Sequence, residues 1–119
     1  MLKRLTGQRA ELKAERHLKS KGLKLVARNW HCRQGELDLI MHDDEFLVFV
    51  EVRMRKASVF GGGLDSVDQF KQAKLGQAAA LFLSGHPAWQ QHPCRFDVVA
   101  IDRASGQIEW LQHAFELQA

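Results

Sequence analysis

The spacing of apolar and polar residues changes several times along the chain, and each change predicts a separate element. Residues 7–20 carry apolar side chains at helical spacing, and they are followed by Gly22, a residue type that commonly ends helices. The next apolar runs are short and bounded by polar or turn residues, which is typical of strands. They predict strands over 23–32, 36–42 and 46–53, separated by a turn at 33–35 and by the polar tip "DDE".

The second half of the chain predicts one more helix and two more strands. A Gly-rich loop over 56–65 precedes a helix that Ser66 and Gln69 begin with capping-box spacing. This helix is expected to reach about residue 84, where Gly85 and Pro87 end it. The two further strands are predicted over 95–101 and 107–115. The order α-β-β-β-α-β-β predicts a small α/β fold, with residues 1–119 forming a single domain.

The hairpin of the second and third strands holds two acids within its apolar runs. If Asp44 and Glu45 form a two-residue turn, Asp38 faces Glu51, with Cβ atoms about 5 Å apart. Like charges at this distance repel, so a shared proton, a neighbouring cation or a bound divalent metal must offset them. Arg53 lies on the same face as Glu51, which leaves a simple ion-pair cluster as the alternative to a metal site.

The opposite face of this hairpin is wholly apolar. Because successive strand residues point to alternate faces, we expect six apolar side chains to share it and a helix to cover it. These residues are Leu37, Leu39, Met41, Val48, Val50 and Val52.

Charged residues also interrupt the apolar stripes of the two predicted helices. Glu11 lies almost in line with Leu18, so its carboxylate is expected to need a partner, which an ion pair with Lys or Arg would supply. In the second helix, Lys71 and Lys74 fall within the apolar stripe, from which lysine side chains often extend to solvent. The apolar members of that stripe are Val67, Phe70, Ala78, Leu81 and Phe82.

Composition excludes several classes of protein. The chain has 119 residues, of which 45% are hydrophobic and 26% charged, as in a folded domain with one core. No apolar run is long enough to span a membrane, and the first residues lack the pattern of a signal peptide. Two cysteines are too few to staple a secreted domain. We therefore expect a cytoplasmic protein that does not bind membranes.

Charge is unevenly distributed along the chain. Residues 1–35 hold ten Lys or Arg and two Glu, a balance of +8. The remaining residues hold seven Lys or Arg and twelve Asp or Glu, a balance of −5. A basic segment of this kind indicates either a surface for nucleic-acid phosphates or a solvated helix face.

The segments "GELDLI" and "FVEVRMR" resemble the metal-binding motifs of the restriction-endonuclease-like PD-(D/E)XK superfamily. Within that superfamily the chain is similar to the small bacterial YraN-like family, which is also described as resembling Holliday-junction resolvases. The similarity covers nearly the whole chain. It includes "GQRAELKAERHL", "NWHCRQGELDLI", "SVDQFKQAKL" and "RFDVVAI". The resemblance implies a mixed four-stranded core sheet flanked by helices, in αβββαβ order.

The resemblance also implies roles for individual residues. Asp38, Glu51 and the backbone carbonyl of Val52 would be the metal ligands, and Glu11 an outer acid acting directly or through water. Mg²⁺, or Mn²⁺ in its place, prefers such oxygen ligands and assists in-line attack of water on a phosphodiester. Arg53 departs from the pattern, because the superfamily has lysine there. A guanidinium stabilises negative charge but does not give up its proton, so a general-base role is in doubt.

Three functions are consistent with these features. The first is a metal-dependent nuclease that cuts DNA, with branched or structured DNA as the expected form. The second is a nucleic-acid-binding module with an inactive site, which Arg53 motivates. The third is a protein-interaction domain whose acids form internal ion pairs. Resolvases act as two-fold dimers, which leaves a homodimer through "IEWLQHAFELQ" open. The expected nucleic-acid contacts are Lys3, Arg4, Arg9, Lys13, Arg33, Arg55, Lys71 and Lys74.

Overall fold

Two helices lie on a mixed five-stranded sheet in the computed structural model, which describes residues 7–55 and 67–116. The elements are α1 (Gly7–Ser20), β1 (Lys24–Cys32), β2 (Gly35–His42), β3 (Leu47–Arg55), α2 (Gln69–Ser84), a 3₁₀ turn (Pro87–Trp89), β4 (Cys94–Asp102) and β5 (Ile108–Phe115). The predicted α/β fold and the order of its helices and strands are confirmed. The fifth strand extends the four-stranded core that the resemblance implied.

The strands follow one another across the sheet in chain order, from β1 at one edge to β5 at the other. Neighbouring strands are antiparallel except β3 and β4, which are parallel. A parallel pair needs a crossover connection, and α2 lies within it. The last residues of β3 and β4 and the first residues of β2 therefore meet at one end of the sheet, called the β3 end below.

Each helix covers one face of the sheet through its own hydrophobic cluster. On the α1 face, the cluster includes Ala10, Ala14, Leu18, Leu39, Met41, Val48, Val50, Val99 and Ile101. On the α2 face, it includes Ile40, Leu47, Phe49, Leu75, Ala78, Ala79, Phe82, Phe96 and Val98. The hydrophobic effect thus fixes both helices on the sheet, and both reach the β3 end with their first turns.

Leu37 departs from the predicted alternation of β2. It was expected to share a face with Leu39 and Met41, which pack on the α1 face, but it belongs to the α2 cluster. The prediction was wrong because the sheet is irregular at this level. Asn29, the β1 residue between those paired with Leu37 and Leu39, has a φ of 46°. A left-handed residue inside a strand disturbs the regular pleat, so strict alternation is lost.

The ends of both helices are fixed by local hydrogen bonds. After α1, Gly22 has a φ of 98°, and the backbone N–H of Leu23 donates to the carbonyl of Leu18 over 3.1 Å. At α2, Asp68 is the N-cap, because its side chain accepts a 2.8 Å hydrogen bond from the backbone of Lys71. The predicted cap, Ser66, lies outside the described residues. No helix of the described ranges has the length and apolarity to cross a bilayer.

The outer side of α2 is less polar than the sequence pattern predicted. Val67, Ala78 and Phe82 are buried as expected, but Phe70 is 81% exposed and Leu81 is 41% exposed. The prediction was wrong for these two residues because α2 carries apolar side chains on both sides. Leu75, Ala78 and Ala79, which lie between Phe70 and Leu81 in the sequence, pack in the core instead. The ring of Phe70 is therefore left exposed to solvent.

Candidate metal and nucleic-acid site

The turn that sets the hairpin register is closed by Asp43. Its Oδ1 accepts hydrogen bonds from the backbone N–H groups of Glu45, at 2.8 Å, and Phe46, at 2.6 Å. The backbone of Asp43 also donates to the carbonyl of Phe46 over 3.1 Å. Asp44 and Glu45 thus form the predicted two-residue turn, and the strands pair in the predicted register.

Backbone pairing between β2 and β3 stops at Leu39 and Val50, one residue before the two acids. Asp38 Oδ2 instead accepts a 2.8 Å hydrogen bond from the backbone N–H of Val52, so a side chain takes the place of the ladder partner. In the same register the next two residues are Asp38 and Glu51. They are only 9% and 6% exposed, respectively. The sheet therefore opens at its β3 end around two buried carboxyl groups.

The two carboxyl groups interact directly. Burial, the charge of Glu51 and a hydrogen bond between the two acids raise the pKa of Asp38 to about 8, while the Val52 N–H acts in the opposite direction. Two carboxylates in this position cannot both be ionised without compensation. The pair therefore either retains a proton at neutral pH or requires added positive charge.

Two cations from different elements face Glu51. The ammonium of Lys71, on the first turn of α2, lies 2.9 Å from Glu51 Oε2. Arg53 places a guanidinium nitrogen 3.6 Å from the same oxygen. The sequence identified Arg53 as a neighbour of the acids but assigned Lys71 only to phosphate contacts. The position of Lys71 could have been found from the sequence, because Leu75 and Ala78 follow it by four and seven residues. This spacing places Lys71 on the side of α2 that faces the sheet.

Glu11 of α1 reaches the same acids from the opposite face. Burial raises the pKa of its carboxyl group, with the charges of Glu36 and Glu51 adding to the rise and interactions with the side chains of Asn29 and Asp38 partly offsetting it. The expectation that Glu11 needs a partner is met by these two polar side chains. Asn29 was missed, since nothing in a strand pattern marks an asparagine with positive φ.

These side chains line a cavity of about 310 Å³ at the β3 end. Its walls are Gly7, Ala10, Glu11, Asp38, Glu51, Val52, Arg53, Met54 and Lys71. A second cavity of about 300 Å³ shares Glu11 and continues along α1 past Asn29 and Arg28. The first cavity brings together every catalytic and metal-binding residue predicted from the sequence.

The donor set of this cavity suits a hard divalent cation with few protein ligands. Within residues 7–55 and 67–116, no three His, Cys, Asp or Glu side chains are arranged as a metal site. Two carboxylates and one backbone carbonyl are nevertheless enough for Mg²⁺, which usually keeps several of its waters. Burial and the charge of Glu51 raise the pKa of Asp38, and a bound cation would favour its ionised form. Asp38, Glu51 and the carbonyl of Val52 therefore fit such an ion.

The predicted nucleic-acid contacts are only partly brought together. Arg9 and Lys74 are exposed on the helices that flank the cavity, and Arg33 is exposed in the turn that precedes β2. Arg55, in contrast, pairs with Glu109 of β5, which restricts its guanidinium. The ammonium of Lys13 lies close to Gly106, in the turn after β4. Lys3 and Arg4 are outside the described residues.

Comparison with known proteins gives one family. The model of a family described as "Uncharacterised protein family UPF0102" matches residues 10–101. UPF0102 proteins of Pseudomonas fluorescens and Stutzerimonas stutzeri are each 54% identical over 114 residues, covering 93% of this chain and 93% and 94% of theirs. A UPF0102 protein of Ectopseudomonas mendocina is 50% identical over 111 residues, covering 92% of this chain and 93% of its own.

Proposed function

The chain belongs to the UPF0102 family, which is the YraN-like family, and we propose that it is a divalent-metal-dependent nuclease acting on DNA, with branched or structured forms as substrates. The observation that carries the proposal is the buried pair Asp38 and Glu51 in a cavity that also holds Lys71 and Arg53. Paired acids hold a cation, and paired cations hold a phosphate. The resemblance to PD-(D/E)XK enzymes supports the same assignment.

Asp38, Glu51 and the carbonyl of Val52 would hold Mg²⁺ or Mn²⁺. When bound, the ion would neutralise the two acids and act as a Lewis acid toward a phosphodiester oxygen. The backbone ladder stops before the two acids, and the hydrogen bond from the Val52 N–H to Asp38 Oδ2 holds that carboxyl group beside Glu51 and the Val52 backbone. Glu11, whose carboxyl group interacts with Asp38, approaches the pair from the α1 side and would act as the outer acid.

The chain's own cations would position the substrate. Arg53 can hold two phosphate oxygens through parallel hydrogen bonds, although a guanidinium stays protonated at physiological pH and so cannot act as a base. Lys71 brings a compact ammonium to the same cavity from another helix. Both side chains would stabilise the negative charge that develops on the phosphate during hydrolysis.

The second candidate function is a nucleic-acid-binding module that does not cut. It is motivated by Arg53, which stands where the superfamily has lysine. The contact between Lys71 and Glu51 favours an active site, since it restores an amine beside the acids. The two functions share the binding surface and differ only in turnover.

Cleavage of an end-labelled panel tests the proposal: duplex, single strand, flap, four-way junction and RNA, each with Mg²⁺, Mn²⁺ or EDTA. Asp38→Asn and Glu51→Gln are compared with Asp44→Asn, which removes a carboxylate from the exposed tip of the same hairpin. We expect metal-dependent cutting that both site variants lose and the tip variant keeps. Salt-sensitive binding without cutting would favour the binding module. If the protein neither binds nor cuts any of these substrates, both functions are overturned.

A further inference from the structure

The exposed face at the start of α2 combines an aromatic ring with positive charge next to the cavity. Phe70 is 81% exposed, about twice as exposed as Leu12 and Leu81, the other exposed large hydrophobic residues of the described ranges. Single exposed apolar residues are common on protein surfaces and need no function. Phe70 differs by its position, because the next residue, Lys71, contacts Glu51 inside the cavity.

Helix geometry places Lys74 between these two residues. Successive residues of an α-helix are about 100° apart, so Lys74 lies about 40° from Phe70 and about 60° from Lys71, one turn further along. Residues four apart on a helix are neighbours, with Cβ atoms about 5–6 Å apart. Phe70 and Lys74 therefore form a continuous surface, the α2 platform, which borders the cavity through Lys71.

The charge of α2 selects the partner of this platform. From Gln69 to Ser84 the helix contains two lysines and no acidic residue. The nearest carboxylate along the chain, Asp68, is engaged as the N-cap. A partner that suits both an exposed ring and the exposed ammonium of Lys74 is an anion with flat apolar groups. Unpaired nucleotides have this chemistry, since their bases stack on aromatic side chains and their phosphates bind lysine.

We propose that the α2 platform binds a single-stranded DNA segment, with a base stacked on Phe70 and its backbone phosphate on Lys74. This inference rests on the proposed function and gives its substrate class: DNA with unpaired nucleotides beside the scissile phosphate. Within a duplex, paired bases present only their edges in the grooves, so the interior of a duplex cannot offer the ring a base face without local opening. A flap, a junction with open strands or a plain single strand can.

The test measures binding by fluorescence anisotropy in EDTA, with a labelled oligothymidine and with a blunt duplex. Stacking on one base is worth about 1–3 kcal/mol, so we expect Phe70→Ala to weaken single-strand binding by about 10-fold. We expect duplex binding to change by less than about twofold. Phe70→Trp should retain single-strand binding. Leu81→Ala, an exposed apolar residue three turns along α2, is the matched control and should behave as the unmodified protein.

Spectroscopy and salt dependence give independent readouts. The added indole of Phe70→Trp should be quenched by oligothymidine more than the three native tryptophans of the unmodified protein. Lys74→Met should lower the salt slope of single-strand binding by about 0.7, whereas Phe70→Ala should leave it unchanged. Unchanged single-strand affinity in Phe70→Ala, or equal losses on both DNAs, would overturn the proposal. So would self-association that Phe70→Ala abolishes while DNA binding persists.

The outcomes separate this inference from the nuclease function. Single-strand binding that depends on Phe70, with no cutting of any substrate, would support the platform and contradict the nuclease. Cutting that is insensitive to Phe70→Ala on single-stranded and flap DNA would support the nuclease and contradict the platform.

Discussion

Two regions of the sheet bury acidic side chains, and they differ in how the charge is compensated. Asp97, in β4, is fully buried, yet each carboxylate oxygen has partners. Arg95 donates at 3.1 and 3.3 Å, the indole of Trp110 at 2.8 Å, and the backbone of His113 at 3.2 Å. At the β3 end, Asp38 faces another acid and receives one backbone hydrogen bond.

The contrast separates a structural acid from the acids that we propose bind a metal ion. A buried carboxylate with an arginine and two further hydrogen bonds, from Trp110 and His113, has its charge compensated within the protein and needs no ligand. Two neighbouring carboxyl groups of which only Glu51 faces cations are costly for the fold and suited to binding a further cation. Helix α1 repeats the difference. Glu15 binds Arg28 at 2.6 and 2.9 Å, which lowers its pKa, whereas the pKa of Glu11, one turn earlier, is raised.

The largest expected effect comes from removing one charge at the β3 end. Asp38→Asn keeps an oxygen for the Val52 N–H but removes a metal ligand, so we expect cleavage to fall on the order of 10³-fold. The metal-free variant should also be more stable than the unmodified protein at pH 8, because the repulsion with Glu51 is gone. Single-turnover cleavage and urea unfolding in EDTA measure the two effects. Full activity, or a loss of stability at pH 8, would contradict this interpretation.

The same substitution at the compensated acid should act in the opposite direction. Asp97→Asn leaves Arg95 buried with a neutral partner, so we expect the free energy of unfolding to fall by about 3 kcal/mol. Arg95 retains its longer contact with Asp43, at 3.4 Å, which keeps the loss at the lower end of the range for broken buried pairs. Asp44→Asn, exposed at the hairpin tip, should change stability by less than about 0.5 kcal/mol. A loss below about 1 kcal/mol in Asp97→Asn would remove the distinction between the two regions.

Most of the fold could be predicted from the sequence because its signals are local. Short apolar runs between turn signals marked every strand, Gly22 marked the end of α1, and the two-residue turn set the register that brings Asp38 opposite Glu51. Phe70 could not be placed in the same way. When a helix is apolar on both sides, the side that becomes core depends on its packing against the sheet, which is not local information.

The site could be predicted where its residues lie on neighbouring strands, and less well where they come from different elements. The resemblance supplied Glu11 but not Asn29, which contacts it. The role of Lys71 required the position of α2 across the crossover, and the network around Asp97 required a strand irregularity next to His113, whose φ is 51°. Contacts of this kind arise from tertiary packing, and one sequence alone contains no pattern for them.

The pH dependence of stability tests the charge difference without any substrate. Asp38 has a folded pKa of about 8, above its usual value, so the folded protein holds a proton that the unfolded chain releases. The free energy of unfolding should therefore fall as pH rises, by about 2–3 kcal/mol between about pH 5 and pH 7 in EDTA. Glu15, whose pKa is lowered, acts in the opposite direction, and its contribution is lost only as the solution becomes acidic.

Comparison with Asp38→Asn isolates this contribution, because the variant lacks the titrating group and retains the rest of the protein. The difference between the two unfolding curves should shrink toward about pH 5, and added Mg²⁺ should raise the stability of the unmodified protein most at high pH. A difference that does not vary with pH would show that the two acids are compensated within the protein, as Asp97 is.

The smallest expected effect distinguishes the two lysines of α2. Lys71 faces Glu51 at 2.9 Å, whereas Lys74 is exposed on the platform. We expect Lys71→Met to lower kcat by about 10-fold with little change in KM, because its charge acts on the reacting phosphate. Lys74→Met should raise KM and leave kcat nearly unchanged. Adding Arg53→Lys to Lys71→Met should restore part of kcat, since it returns an ammonium to the cavity from β3. Equal effects of the two lysine variants on kcat would mean that Lys71 only attracts DNA, and compensation of the acids would then rest on Arg53 and the metal.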